Sequence, residues 1–84
     1  MILVSQDECR MIPCEMVELV ILHKLGKGVE IRACQPGMSD TGSGSWIGNY
    51  KDVDEAKQVF SEIAGEIAHG AMVYMMPQSL GGKK

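Results

Sequence analysis

The sequence predicts an α+β domain in which one amphipathic helix covers one face of an antiparallel sheet of about five to six strands. Two observations support this fold class. Apolar and polar residues alternate over most of the first 50 positions, which is the period of a strand. Further along, apolar residues recur every three or four positions, which is the period of a helix. The predicted order is β-β-β-β-β-α-β in a single domain over residues 1–77, followed by a flexible tail at 78–84.

Five strands are predicted ahead of the helix. Between the first two we expect a turn at Asp7 and Glu8, and Pro13 confines the second strand to an edge or a strand end. The third strand is apolar at both alternations, which indicates a central strand covered on both sides, or one covered by a second subunit. Gly48 in the fifth strand indicates a bulge or a close backbone approach. The predicted strands are residues 1–6, 10–14, 16–24, 29–34 and 46–50.

The helix begins after Asp52, which with Glu55 matches a capping box, and ends before Gly70. Gly65 inside the helix costs about 1 kcal/mol relative to alanine, a cost that we expect close packing to offset. A last strand follows at 72–76 and stops at Pro77. The predicted apolar stripe comprises Val53, Ala56, Val59, Phe60, Ile63, Ala64 and Ile67.

Charge and hydropathy limit the classes of partner. The net charge is −3, and the only adjacent basic residues are Lys83 and Lys84, so we expect no nucleic-acid surface. No apolar run approaches the roughly 18–20 residues that cross a bilayer, so we expect no membrane partner. The first residues lack the basic segment and cleavage site of a secretory signal, which predicts a cytoplasmic location.

Residues suited to metal binding or catalysis are few and poorly spaced. Cys9, Cys14 and Cys34 form an odd set without a CxxC pair, which is typical of reduced thiols rather than of a zinc site. His23 falls at a strand end and His69 at the helix end, where it complements the helix dipole. We therefore predict no catalytic residue, metal or cofactor, and no enzymatic activity.

The loop at 36–45, rich in glycine and serine, is one candidate ligand site. Its backbone amides and hydroxyls are suited to surround an anion, although the phosphate-binding Gly-Lys-Ser/Thr motif is absent. The alternative interpretation is a plain hairpin loop. The candidate ligand-binding residues are Arg32, Gly37, Ser39, Thr41, Ser43, Ser45, Trp46 and Lys51.

Seven methionines in 84 residues indicate either core filling or an adaptable contact surface. In the last strand, Met72, Tyr74 and Met76 share one face, while Val73 and Met75 share the other, so one of these sets is expected to be a contact surface. The candidate contact residues for a partner protein or a second copy are Met16, Val20, Leu22, Met72, Tyr74 and Met76.

Four short segments resemble a family of small uncharacterised proteins from low-GC Gram-positive bacteria and their prophages. The segments are MILVSQD at 1–7, VEIRA at 29–33, IGNY with DEAK at 47–57, and VYMMP at 73–77. The resemblance implies a similar fold and an origin in a mobile element, and it implies no activity. The first hairpin and the 36–45 loop depart from the family pattern.

Together these observations predict a non-enzymatic binding module, homo-oligomeric and of phage or mobile-element type, that acts by protein–protein contact. Its predicted partners are itself and another protein. The alternative is a protein that binds or sequesters a phosphate or a nucleotide through the 36–45 loop, with Arg32 and Trp46 as its main contacts.

Overall fold

The structure has two small sheets where the sequence predicted one sheet of five to six strands. It is a computed structural model that describes residues 1–23, 28–37 and 44–79. The α+β class and the order of the elements are confirmed, and the single sheet is wrong. Within the described ranges the elements are β1 Ile2–Val4, β2 Met11–Pro13, β3 Glu18–His23, β4 Val29–Cys34, β5 Ser45–Tyr50, α1 Val53–Ala68 and β6 Val73–Met75.

The first sheet has the order β2-β1-β6. β1 and β2 form an antiparallel hairpin through the predicted turn, where Glu8 adopts φ 61°. A 3-10 helix at Cys14–Met16 then redirects the chain, so that β3 begins a separate sheet instead of continuing this one. After α1, the chain returns beside β1 in the same direction, and β6 therefore pairs with β1 in parallel. The first sheet is mixed, not antiparallel.

The second sheet is an antiparallel meander with the order β3-β4-β5. The central strand is β4, and its alternation is as predicted: Val29, Ile31 and Ala33 are buried on the inward face. β3 lies at an edge of this sheet, so the prediction of a central strand is wrong for it. β3 has no second flanking strand among the described residues.

A bulge in β5 joins the two sheets. Ile31 lies opposite Gly48 and Arg32 lies opposite Trp46, which leaves Ile47 as the extra residue of β5. The carbonyl oxygen of Ile47 accepts a hydrogen bond of 2.8 Å from the backbone N–H of Gln6, just after β1. The bulge predicted at Gly48 is confirmed, and it provides the backbone link between the sheets.

Both ends of α1 are capped as the sequence predicts. The Asp52 carboxylate accepts from the N–H of Glu55 at 2.9 Å, and the Glu55 carboxylate accepts from the N–H of Lys51 at 2.8 Å. At the other end, Gly70 has φ 77° and its N–H donates to the Ile67 carbonyl. The Ala71 N–H donates to the Glu66 carbonyl, which completes a Schellman motif.

The core lies between the helix and the inward faces of the sheets. The predicted helical stripe is buried or half-buried as far as Ile63, whereas Ala64 and Ile67 are exposed. A side chain at Gly65 would meet no neighbouring atom within 4 Å, so the predicted close packing there is absent. The buried cluster consists of Leu3, Ile12, Val29, Ile31, Ala33, Ile47, Tyr50, Ala56, Val59, Ile63 and Met76.

Two residues of the predicted tail are held against the domain. The Gln78 side-chain amide donates to the Gln6 carbonyl at 3.0 Å, and the Ser79 hydroxyl donates to the Glu55 carboxylate at 2.7 Å. Residues 80–84 lie outside the described residues.

Candidate functional site

The candidate functional site is an apolar surface on the first sheet. In the register, Val4 lies opposite Met11 on β2 and opposite Met75 on β6. Directly opposed residues of neighbouring strands project from the same face of a sheet. Ile2 lies two residues before Val4 and therefore projects from the same face, together with Pro13 and Val73, which lie opposite it. We call this surface the open face; it comprises Ile2, Val4, Met11, Pro13, Val73 and Met75.

The open face is exposed at its margins and shielded at its centre. Met11 is 71% exposed, Val73 54% and Met75 53%. Val4, between Met11 and Met75, retains only 9% exposure. All six residues of this face are apolar.

The opposite face of the same sheet belongs to the core, and this explains the orientation of the open face. Leu3 and its β2 neighbour Ile12 are buried in the cluster, and Tyr74 packs against it. Because side chains alternate along a strand, burying Leu3 turns Ile2 and Val4 outward. The helix packs on β4 and β5 of the second sheet.

The structure does not bring the predicted contact residues to one surface. Met16, in the 3-10 helix, and Met72, just before β6, are exposed, whereas Met76 is only 4% exposed and belongs to the core. Tyr74 is half-buried, and its hydroxyl donates to the Glu62 carboxylate at 2.7 Å. The remaining two, Val20 and Leu22, are half-buried on the outward face of the second sheet.

In β6, the exposed set is therefore Val73 and Met75, the alternative to the predicted set. The two alternating sets were visible in the sequence, but of the predicted Met72, Tyr74 and Met76 only the last two face the core, and Met72 is exposed just before β6. Sequence reasoning missed Met11, because a three-residue strand carries too little pattern to show which face is buried. The signal available in the sequence was the run of apolar residues on both alternations of β1 and β6.

Arg32 and Trp46, two described residues of the predicted anion site, make polar contacts with other residues of the protein. Arg32 forms an ion pair with Glu30, and it donates to the Gly44 carbonyl at 2.9 Å. Trp46, opposite Arg32 on β5, donates through Nε1 to the Asn49 side chain at 3.0 Å. Gly37 and Lys51 are exposed, Ser45 begins β5, and Ser39, Thr41 and Ser43 lie outside the described residues. The Arg32 guanidinium thus has protein partners already.

A cavity of about 200 Å³ lies between α1 and the segment that follows β6. Two of its polar side chains make hydrogen bonds within the protein: the Tyr50 hydroxyl donates to the Pro77 carbonyl at 2.8 Å, and the Glu55 carboxylate accepts from Lys51 and Ser79. Burial raises the pKa of Tyr50 well above the usual tyrosine range. A phenol that keeps its proton is a poor base or nucleophile. Its lining is Tyr50, Glu55, Gln58, Val59, Glu62, Pro77 and Gln78.

The described part of the chain contains no group of three or more His, Cys, Asp or Glu residues placed to hold a metal ion. Its helix is too short and too polar to cross a bilayer. Comparison of the chain with protein-family models, with curated proteins and with solved structures yields no match. The resemblance to small prophage proteins therefore stays a prediction.

Proposed function

We propose that this protein is a binding module that acts by contact with another protein through the open face. The observation that carries the proposal is the register of the first sheet, which aligns six apolar side chains on one face, of which Met11, Val73 and Met75 are each more than half exposed. Contiguous exposed apolar surface on a small domain is a typical feature of protein interaction sites.

The composition of the open face favours a protein partner. Burying the remaining exposed surface of Met11, Val73 or Met75, which are 71%, 54% and 53% exposed, contributes about 1–2 kcal/mol each. Methionine adapts its shape to irregular partners, and the two methionines flank the β-branched centre of the surface. The absence of charge among the six residues argues against an anionic ligand there, whether a phosphate or a nucleic-acid backbone.

The hydrogen bonds and the pKa values of polar side chains outside the open face also favour binding over catalysis. Three described polar side chains, Tyr50 and Glu55 of the cavity and Arg32 beside the 36–45 region, make hydrogen bonds within the protein. An active site requires groups positioned toward a substrate with pKa values matched to the reaction. The pKa values of Tyr50 and Tyr74 are instead shifted away from neutral pH.

The experiment compares capture of partners by the full chain and by three single variants. Met11→Lys and Met75→Lys each place a charge on the open face, whereas Met16→Lys changes an equally exposed methionine elsewhere. Each protein is immobilised, incubated with lysate of the source cell and analysed by quantitative mass spectrometry. We expect one protein to be captured by the unmodified chain and by Met16→Lys, and to be lost with both open-face variants.

Circular dichroism and thermal unfolding confirm that each variant is folded before capture is compared. Capture that is equal for all four proteins would contradict the proposed surface. If no protein is enriched over a blank support, the proposed function itself is contradicted.

A further inference from the structure

β3 is an edge strand of the second sheet, and its burial pattern differs from those of β4 and β5. β3 pairs with β4, and no other strand in the described ranges pairs with it. Every residue from Glu18 to Leu22 is half-buried, on both faces of the strand, whereas β4 has buried residues on its inward face. The interior of β3, residues 19–22, is Leu-Val-Ile-Leu.

Exposed edges of sheets are usually protected against pairing with another chain. The usual protection is a proline, a lysine, an inward-pointing charge, a bulge or a very short strand. The interior of β3 has none of these, its register with β4 is regular, and it has the same six-residue length as β4 and β5. Such a strand is suited to receive another strand.

We infer that two copies of this chain associate through β3, antiparallel across a two-fold axis at Val20, to form a continuous six-stranded sheet. An axis perpendicular to the sheet keeps both helices on the same side. Residues of the same face must then lie opposite each other. Val20 meets Val20 of the second copy, Leu19 meets its Ile21, and Glu18 meets its Leu22.

This register argues for a second copy rather than an unrelated strand. The pattern of β3 is self-complementary, because aliphatic residues oppose each other around the axis and the two Glu18 carboxylates are kept apart. Leu19 and Ile21, half-buried at the margin of the core cluster, would cover each other on the inward face. The cores of the two copies would then be continuous beneath the sheet.

The first test is the mass of the full chain in solution by light scattering coupled to size exclusion. We expect twice the 9.1 kDa of one chain. Val20→Glu brings two carboxylates together at the axis, and circular dichroism confirms that the variant is folded before its mass is compared. The substitution should weaken the dimer by about tenfold or more. Val20→Thr, which keeps the β-branched shape, should remain dimeric.

The register is tested by cross-linking with a short bis-maleimide. In a Cys9→Ser background, which removes the exposed native thiol, single cysteines replace Val20 or Leu22. The two Val20 positions would lie about 5 Å apart, whereas the two Leu22 positions are four residues out of register, about 14 Å along the strands. Val20→Cys should therefore cross-link efficiently, and Leu22→Cys should not.

A monomeric mass for the unmodified chain would overturn the inference. Equal cross-linking of the two cysteine variants would overturn it as well, because it excludes an axis at Val20. The inference does not depend on the open face: Met75→Lys should leave the dimer mass unchanged, and a dimer lost with Met75→Lys but kept with Val20→Glu would place the contact on the first sheet instead.

Discussion

The side-chain amide of Gln6 pairs with the backbone of Asn49 as the peptide group of a neighbouring strand would. Its Oε1 accepts from the Asn49 N–H at 2.7 Å, and its Nε2 donates to the Asn49 carbonyl at 3.0 Å. The same Nε2 donates to the Pro77 carbonyl at 2.9 Å. One side chain thus connects the end of β1, the bulged strand β5 and the segment after β6.

We expect Gln6→Glu to destabilise the protein by about 1–3 kcal/mol, because the carboxylate cannot donate to the Asn49 and Pro77 carbonyls. Urea denaturation measures the change in the free energy of unfolding. Gln35→Glu is the matched control, since Gln35 is exposed after β4. A loss for Gln6→Glu no greater than that of the control would contradict this role of Gln6.

Gly48→Ala should destabilise the protein by about 1–3 kcal/mol through overpacking. A Cβ at this position would come within 2.9 Å of the Tyr50 ring and 3.2 Å of the Gln6 side chain. The Tyr50 and Gln6 side chains also make hydrogen bonds that connect the two sheets, so we expect the thermal midpoint to fall. An unchanged midpoint would show that Tyr50 and Gln6 can shift without cost.

Gly65→Ala should have the opposite effect, a gain of up to about 1 kcal/mol. The position is inside α1, and an added Cβ meets no atom within 4 Å beyond the helix itself. Alanine reduces the backbone freedom of the unfolded chain and favours the helix. The thermal midpoints of Gly65→Ala and Gly48→Ala are measured side by side. A loss of stability in Gly65→Ala would contradict this prediction.

Ser5→Ala should raise the pKa of Asp7 toward the ordinary aspartate value of 3.8. The hydrogen bond from the buried Ser5 hydroxyl, at 2.6 Å, is the main cause that lowers this pKa, and the Cys9 N–H adds to it. An NMR titration of the Asp7 carboxyl measures the shift, with Ser61→Ala on the exposed helix face as control.

The sign of the pH effect follows from the lowered pKa of Asp7. Its contribution to stability is present above the pKa of the unfolded chain and is lost as pH falls through the folded value. Ser5→Ala should therefore flatten the dependence of the denaturation midpoint on pH below about 4. An identical pH profile in the variant would contradict the link between Ser5 and Asp7.

Both tyrosines should keep their protons well above pH 10 in the folded protein. Burial is the main cause that raises the pKa of Tyr50 and of Tyr74, and the hydrogen bond to Glu62 raises the latter further. Because the unfolded chain loses these protons near pH 10, stability should fall as pH rises above that value. Tyr74→Phe should reduce this fall, as measured by urea denaturation between about pH 9 and pH 11. Phenolate absorbance appearing near pH 10 in the folded protein would contradict the prediction.

Local features of the chain were predictable because their causes lie within a few residues. Asp52 and Gly70 bound α1, since a cap needs only a side chain or a positive φ at a helix end. Gly48 marked the bulge, and the alternation of β4 showed which residues face inward. For the candidate site, the two alternating sets of β6 were visible in the sequence, but not which of them is exposed.

The division into two sheets and the position of the open face were decided by the tertiary structure alone. The contact of Gln6 with Pro77 spans 71 residues, and the parallel pairing of β1 with β6 spans a similar distance. Local periodicity carries no information on such partners. A period of two defines two faces for each strand, and only the burial of Leu3 and Ile12 against the core determines that Val4, Met11 and Met75 face outward.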